Sequence, residues 1–351
     1  MDGFERQIAI TGGAGFIGSN LLQYLVEKYP NELFVNIDCL TYAGNLHNLV
    51  SLESCPNYRL ERIDICDSGA LADCFAKYHF SGVIHLAAES HVDRAILGPS
   101  PFIQTNVVGT FNLLEMVRHA ADAGQRIRFH HVSTDEVFGS LGPDGRFTSE
   151  SPYRPNSPYS ATKAASDHLV RAYHQTYGID VVTTNCSNNY GPYQFPEKMI
   201  PLMIHNARAG LPLPVYGNGK NVRDWLYVAD HCEAIDLVFR KGESGQVYLV
   251  GGNSEVENIT LVRTICRLVQ EEIGGKSLEH LITFVADRPG HDLRYAIDAS
   301  RMKSELGWES KRSFEKGLSD TVHWYLENES WMESCRSGQY LKYYQENYEG
   351  R

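Results

Sequence analysis

QIAITGGAGFIGSNLLQYLVEKY, residues 7–29, is the stretch whose reading decides the fold. Its first five residues are a short apolar run that reads as a buried strand, and from Ser19 onward apolar residues recur at helical spacing. Between them lies Gly12-Gly13-Ala14-Gly15-Phe16-Ile17-Gly18. Strand, G-x-x-G-x-x-G, helix is a dinucleotide-binding arrangement. The glycines allow a tight turn and a close backbone approach, and the free N–H groups of the helix start meet a pyrophosphate. A glycine triplet alone is weak evidence, so its context matters. Residues 33–37 (LFVNI) form a second strand that runs into Asp38, twenty residues after Gly18. A carboxylate there accepts hydrogen bonds from a ribose 2′-OH and repels a 2′-phosphate, which favours NAD over NADP.

The same alternation continues. Apolar runs at 83–88 (VIHLAA), 129–132 and 180–185 read as further buried strands, with helical patterns between them, including a long helix over 101–121. The expected fold class is therefore α/β, a Rossmann-type doubly wound parallel sheet. Beyond Pro192, prolines at 196, 201, 212 and 214 punctuate short irregular segments, as when a chain leaves a sheet to build a second lobe. The expected division is a dinucleotide-binding domain over 1–190, with segments of about 220–250 returning to it, and a smaller mixed α/β lobe over 191–351.

Composition narrows the partners. A chain of 351 residues with 42% hydrophobic and 21% charged residues is an ordinary globular protein. A net charge of −11 argues against nucleic acid or an anionic membrane, so any anionic substrate must meet a local basic cluster. The eight cysteines show no C-x-x-C and no His/Cys ligand spacing. They read as reduced thiols, and no metal is expected. The start MDGFERQ has no signal-peptide character, and no apolar run reaches the length of a membrane span. A cytoplasmic location is expected.

The chemistry concentrates between His131 and Lys163. Thr134-Asp135-Glu136 directly follows an apolar run, and Tyr159-x-x-x-Lys163 opens a helical pattern after Ser157-Pro158. Positions i and i+4 share a helix face, so phenol and ammonium point the same way, and a nearby ammonium lowers a tyrosine pKa. Such a tyrosine is a usable base. Mutual repulsion and burial separate the pKa values of two adjacent carboxyls into an acid and a base. On an extended segment, however, the two side chains would diverge. Both can reach one substrate only if the strand ends there and the backbone turns. Residues 139–158 read as a loop over the site. His91, Asp93 and Arg94 fit a helix cap, a structural ion pair or a contact equally.

TGGAGFIG, Asp38 and Tyr159-x-x-x-Lys163 resemble the extended short-chain dehydrogenase/reductase superfamily. Within it STDEVFG, SPYSATK, NCSNNYGPYQFPEK, RDWLYVADH and DRPGHDLRYAID resemble the nucleotide-diphosphate-sugar 4,6-dehydratases, and the likeness spans nearly the whole chain. Related sugar epimerases usually carry small or apolar residues at the Asp135-Glu136 pair. GDP-mannose dehydratases keep the glutamate but have Ser for the aspartate. Phe138 stands where Tyr is common, which changes no proposed acid or base.

The resemblance implies a tightly bound NAD+ regenerated at each turnover. Its cofactor contacts would be Gly12, Gly15, Phe16, Ile17, Gly18, Asp38, Leu40, Thr41, Asp64, Ile65 (the last two near the adenine), Leu86, Ala87, Ala88, Thr105, Tyr159 and Lys163. It also implies the roles. Tyr159 takes the proton of the sugar 4-OH, helped by Lys163 and Thr134. Glu136 removes the C5 proton. Asp135, protonated, gives its proton to the departing C6 hydroxyl. The implied substrate is a nucleotide-diphosphate sugar, dTDP-glucose first and UDP-glucose next, with a 4-epimerase or a non-catalytic NAD-binding regulator as rivals. Arg223 would meet the diphosphate, with Lys198, Arg288 and His291 behind it. Asn189 and Asn258 would anchor phosphate or sugar, Pro214 to Tyr216 would frame the base, and Ser90, Thr134 and Leu202 complete the set. A homodimer through helices near 102–121 and 158–177 is implied as well.

Overall fold

In the computed structural model, which describes residues 3–336, seven parallel strands form one sheet. The end of the expected second lobe, residues 337–351, lies outside the described residues. The strands are β1 (Arg6–Thr11), β2 (Glu32–Ile37), β3 (Tyr58–Glu61), β4 (Gly82–His85), β5 (Arg128–Thr134), β6 (Val181–Cys186) and β10 (Val247–Val250). Their order is β10-β6-β5-β4-β1-β2-β3, the doubly wound order with one strand added beyond β6. Side chains alternate across the sheet. Ile8 and Ile10 of β1 therefore join Leu21, Leu22 and Leu25 of α1 (Phe16–Lys28), whereas Ala9 faces the opposite core with Leu113, Leu114 and Val117. Helices on both faces explain why the strands read as near-continuous apolar runs.

The opposite face carries α2 (Ser68–Lys77), α5 (Thr110–Asp122) and α6 (Pro158–Tyr177). Two short helices, α3 (Val92–Leu97) and α4 (Ser100–Phe102), precede α5. The long helix expected over 101–121 is interrupted: residues Ile103–Gly109 are π-helical. Asn106 supplies the reason. Its carbonyl accepts the Thr110 and Ser166 hydroxyls, at 2.6 and 2.5 Å. Its amide side chain bonds both backbone groups of Glu89 and the Thr162 hydroxyl. Such competition for a helix carbonyl is a common origin of a π-bulge.

The second lobe has a three-stranded sheet of β7 (Asn188–Tyr190), β9 (Val222–Tyr227) and β11 (Glu255–Glu257). A two-stranded pair, β8 (Leu213–Tyr216) with β12 (Ile282–Val285), lies in the same lobe. Around one core that includes Met203, Leu261, Ile265 and Leu318 pack α7 (Met199–Ala209), α9 (Asn258–Ile273), α11 (Phe314–Glu327) and α12 (Glu329–Cys335). The segment that returns to the large sheet is α8 (Val228–Lys241) followed by β10, and β9 stays with β7 and β11. Against α8 and β10 packs α10 (Ser300–Leu306), through Met302 and Leu306.

The loop over 139–158 packs against the segment that carries Arg288 and His291. Phe147 donates its N–H to Ala296 O at 2.9 Å, and its carbonyl accepts from Asp298 N at 2.8 Å. The Phe147 ring is buried with Phe138, Tyr295 and Ile297. The loop thus fastens the 287–298 segment to the large domain. Among the described residues, no helix is long and apolar enough to cross a membrane.

Candidate active site

β1 and β4 lie side by side at the point where the strand order reverses, and ligands of such sheets bind outside the carboxyl ends there. The glycine loop after β1 is shaped by close packing. A Cβ on Gly12, whose φ is +72°, would lie 2.7 Å from Ala87 Cα, and one on Gly18 would lie 2.2 Å from the Gly12 carbonyl. Gly13, absent from the expected contacts, is equally constrained, since its Cβ would lie 2.3 Å from Asn36 Oδ1. Gly15 differs: the nearest atom to a Cβ there is 3.3 Å away, and it caps α1 without any side-chain bond. The start of α1 is therefore open, and its first turn holds no acidic residue to compete with an anion.

Asp38 is buried and accepts the Ala14 and Leu40 N–H groups at 2.9 and 2.8 Å. Leu40 sits at φ +57°, which turns Thr41 away from β2. Burial raises the Asp38 pKa against these two donors. Each oxygen keeps a lone pair for a ribose hydroxyl. Thr11 Oγ1 accepts the N–H groups of Leu86 and Ala87, both at 3.2 Å, which holds the run from Leu86 to Ala88 beside the glycine loop. Phe16 and Ile17, at the start of α1, pack against the core on that face. Thr105 stands in the π-helical stretch next to Asn106. These residues fit an NAD molecule. Ile65 is 4% exposed and packs in the core with Leu71 and Leu113. Asp64 beside it is exposed and accepts Cys66 N at 2.8 Å.

At the end of β5 the geometric demand on the two carboxyls is met. The strand stops at Thr134 and a 3-10 turn, Asp135–Phe138, begins. Asp135 is 1% exposed, and its Oδ2 has no hydrogen-bond partner. Burial, then Glu136 and Asp224, raise its pKa well above the ordinary carboxylate range, so it holds its proton. Glu136 is raised as well, by burial, but Arg288, Arg223 and Lys198 face it and pull the other way. Three cations thus favour the charged form of Glu136.

Tyr159 and Lys163 lie in the first turns of α6, both buried. The expected lowering of the phenol pKa by Lys163 is not found. Burial raises Tyr159 well above its usual value, and Glu136, Cys186 and Asp135 add to the rise, opposed by the Thr134 hydroxyl bond. Burial is the main reason, and the opposing contribution comes from the Thr134 hydroxyl rather than from Lys163. The Lys163 ammonium meanwhile donates to the Val132 carbonyl at 2.9 Å.

One cleft is lined by Glu136 together with Ser90, Asn189, Lys198, Leu202, Pro214, Tyr216, Arg223, Asn258, Arg288 and His291. Thr134 lies outside that lining, one turn residue away. Arg223 is 5% exposed; its guanidinium lies 4.3 Å from the Tyr295 ring centroid and donates to the carbonyls of Val222 and Asp292 at 2.8 and 3.0 Å. Lys198 donates to Ser90 O at 2.8 Å. Asn258 Oδ1 and Arg288 Nε, on two residues that line the cleft, are buried with no hydrogen-bond partner among the described residues. His291 is corrected from cation to neutral ring. Burial, with Arg288 beside it, pushes its pKa down to about 4 despite a 2.6 Å bond to Asp287.

The cleft also has members the sequence left open or did not suggest. Asp93 accepts the Tyr216 hydroxyl at 3.1 Å and sits 3.5 Å from the Arg288 guanidinium. Glu197 accepts from Arg94 at 2.9 Å and from Tyr42 at 3.0 Å, so it joins α3 to the loop after β2. His91 and Trp225 line it too. The signal for Asp93 was its place just past the end of β4, where ligands gather. Glu197 had no signal beyond its place in a proline-punctuated stretch.

A Rossmann sheet with Tyr-x-x-x-Lys beside a cationic cleft defines an NAD-dependent enzyme acting on a phosphorylated alcohol. The comparisons place it further: the chain belongs to the GDP-mannose 4,6 dehydratase family, whose sequence pattern matches residues 9–321. It is 56% identical to the dTDP-glucose 4,6-dehydratase of Xanthomonas campestris pv. campestris strain B100, over 94% of this chain and 96% of that protein. The crystal structure of dTDP-glucose 4,6-dehydratase from Bacillus anthracis in complex with NAD superposes with a TM-score of 0.85. Identity there is 46%, covering 94% of this chain and 99% of that one. The UDP-glucose 4-epimerase of Thermus thermophilus shares the fold with a TM-score of 0.81 at 27% identity, covering 92% and 99%.

Proposed function

We propose that this chain converts dTDP-glucose to dTDP-4-keto-6-deoxyglucose, as a hydro-lyase working through an internal redox cycle. One observation carries the reading: two carboxyls leave the end of β5 on one turn, Asp135 buried and Glu136 opening on the cleft with Arg288, Arg223 and Lys198 facing it. NAD+, held at the glycine loop and Asp38, would supply a hydride acceptor for C4 that is restored when the hydride is delivered to C6. Tyr159 takes the proton of the 4-OH as phenolate, a form that the positive nicotinamide ring of NAD+, when bound, would favour against the burial that raises its pKa, and Thr134, bonded to the phenol, steadies the charge. A C4 ketone acidifies the C5 proton, which Glu136 removes. Asp135, kept neutral by burial, donates to the leaving C6 hydroxyl. The proton then goes back to C5 as hydride arrives at C6.

Arg223 and Arg288 fit the diphosphate through planar donors, and Lys198 adds a point charge. Pro214 and Tyr216 flank the base. Thymine and uracil differ by one methyl, worth about 1–3 kcal/mol in a snug pocket, and the identity with the dTDP-glucose enzymes favours thymine. Substrate deuterated at C4 tests the reaction. Deuterium at C6 of a ketosugar is expected; its return to C4 with inverted configuration makes the chain an epimerase. Initial rates with dTDP-, UDP- and GDP-linked glucose rank the base.

A homodimer is the second part of the proposal. Ile103 and Phe111 are 49% and 42% exposed on the helical run beside α6, and Tyr177 at the end of α6 is 52% exposed. Covering such groups is a familiar use of a self-complementary helix face. Light scattering at twice the chain mass is expected, in an enzyme placed in the cytoplasm.

A further inference from the structure

Behind Lys163, on the side away from the cleft, the side chains converge on a single carboxylate. Asp167 lies four residues after Lys163 on α6, so the two share a helix face. It is 5% exposed, and the structure satisfies it from three other elements. His131 Nε2 of β5 lies 3.1 Å from its Oδ1, the Tyr153 hydroxyl of the 139–158 loop donates to its Oδ2 at 2.8 Å, and Asn185 Nδ2 of β6 donates to Oδ2 at 3.0 Å. The same Asn185 amide donates to the Thr134 carbonyl at 3.1 Å, at the residue where the carboxyl-bearing turn begins. Among the described residues Lys163 makes no salt bridge; its ammonium rests on a backbone carbonyl.

A carboxylate with this many donors is built to stay charged. We infer that Asp167 is a positioning residue, the buried counter-ion that keeps Lys163 an ammonium and, through Asn185, fixes the turn carrying Asp135 and Glu136. The alternative source of charge balance is weak. The groups facing Lys163 are Cys186 of β6, His131 of β5, His85 of β4 and Tyr159 on its own helix. Burial pushes both histidines toward the neutral form, and burial pushes the Cys186 thiol up to about 12, so neither kind supplies a lasting charge near neutral pH. Burial lowers Lys163 too, and Asp167 is the first group opposing it. Burial acts to raise Asp167, but His131, Lys163 and Ser133 outweigh it and its pKa is lowered.

The inference rests on the proposed role of Lys163, and its test is read without substrate or turnover. In NAD-loaded protein carrying [13Cε]lysine, with the Lys163 signal assigned by its loss in Lys163→Met, the signal should show an ammonium throughout the neutral range. Asp167→Asn should lower its titration midpoint by about one pH unit or more, about tenfold in the proton equilibrium. Asp167→Glu, which keeps the charge, should recover most of that shift. A neutral amine at neutral pH in the unsubstituted protein overturns the inference even if neither variant folds. An unchanged midpoint in Asp167→Asn overturns it as well. Failure of the dehydratase reading shows separately, in the product formed.

Discussion

The Thr134 hydroxyl accepts the Glu136 backbone N–H at 3.3 Å, and this bond caps the turn that carries two carboxyls off the end of β5. Without the turn, successive residues of a strand would face opposite sides of the sheet. With it, a buried neutral acid and an accessible base stand on one short segment, each with a separate environment. The predictions that follow treat these groups one at a time.

Glu136→Gln removes the base and leaves the volume unchanged. A loss of about 10²–10⁴-fold in ketosugar formation is expected, the range that a positioned general base contributes. Tyr159 and Thr134 are untouched, so oxidation at C4 should persist and the absorbance of reduced nicotinamide should build up on adding substrate. A turnover rate equal to that of the parent would remove Glu136 from the mechanism.

Asp135→Asn tests the neutral acid through stability. The folded carboxyl is raised above its unfolded value by burial, then by Glu136 and Asp224. Its bound proton therefore stabilises the fold fully below an unfolded pKa of about 3.9, and that contribution fades as pH rises toward the folded value. Asparagine does not titrate. The stability of the variant relative to the parent, followed through Tm, should therefore climb from about pH 4 upward, by about 1.4 kcal/mol for each pH unit until the folded value is reached. A Tm difference that stays flat over that range would mean that Asp135 is ionised in the folded protein. Ketosugar formation should fall in the same variant, with C4 oxidation retained.

Much of this site can be read from the chain because local rules and the global fold agree. Gly12, Gly18 and Asp38 sit at spacings set by a strand, a turn and a helix, and the cleft gathers the cations that motif blocks spread from Lys198 to His291. What local reading missed depends on contacts distant in sequence. Tyr159 and Lys163 are correctly spaced on one helix face, yet the phenol pKa follows its burial first and then Glu136, on the turn after β5. The π-helical stretch arises from Asn106 bonding Glu89 and Thr162, neither of which its own periodicity reveals. Likewise the 139–158 loop reads as a loop over the site, and its bonds to the 287–298 segment are with residues too distant in sequence for that reading to supply.

Two glycines of the loop after β1 should behave differently as alanines. In Gly18→Ala the new Cβ meets backbone, 2.2 Å from Gly12 O and 2.7 Å from Gly13 Cα, so α1 must shift. Overpacking of this kind costs about 1–3 kcal/mol, and a lower Tm in NAD-free protein is expected together with lost NAD. Gly15 has an ordinary φ of −79° and its nearest neighbour is 3.3 Å away, so Gly15→Ala should fold with a Tm close to the parent. Its NAD content, measured by absorbance after denaturation, should still fall, because the methyl occupies the open start of α1. Full NAD occupancy in Gly15→Ala would move the pyrophosphate elsewhere.

Arg223→Lys separates charge from geometry. The guanidinium is held over Tyr295 and spends N–H groups on Val222 O and Asp292 O, which leaves a fixed edge turned to the cleft. Lysine keeps the charge but has neither the plane nor enough donors to hold two carbonyls and reach two phosphate oxygens. Losing one or two charge-assisted hydrogen bonds, each worth about 1.5–3 kcal/mol, should weaken substrate binding by roughly 10–100-fold or more. Because the contact is with the diphosphate, dTDP- and UDP-linked glucose should lose affinity by the same factor, leaving their ratio unchanged. Calorimetric titration of the NAD-loaded enzyme with dTDP and with UDP measures both factors directly. A ratio that shifts would place Arg223 against the base, and equal affinities in parent and variant would take it out of the substrate site.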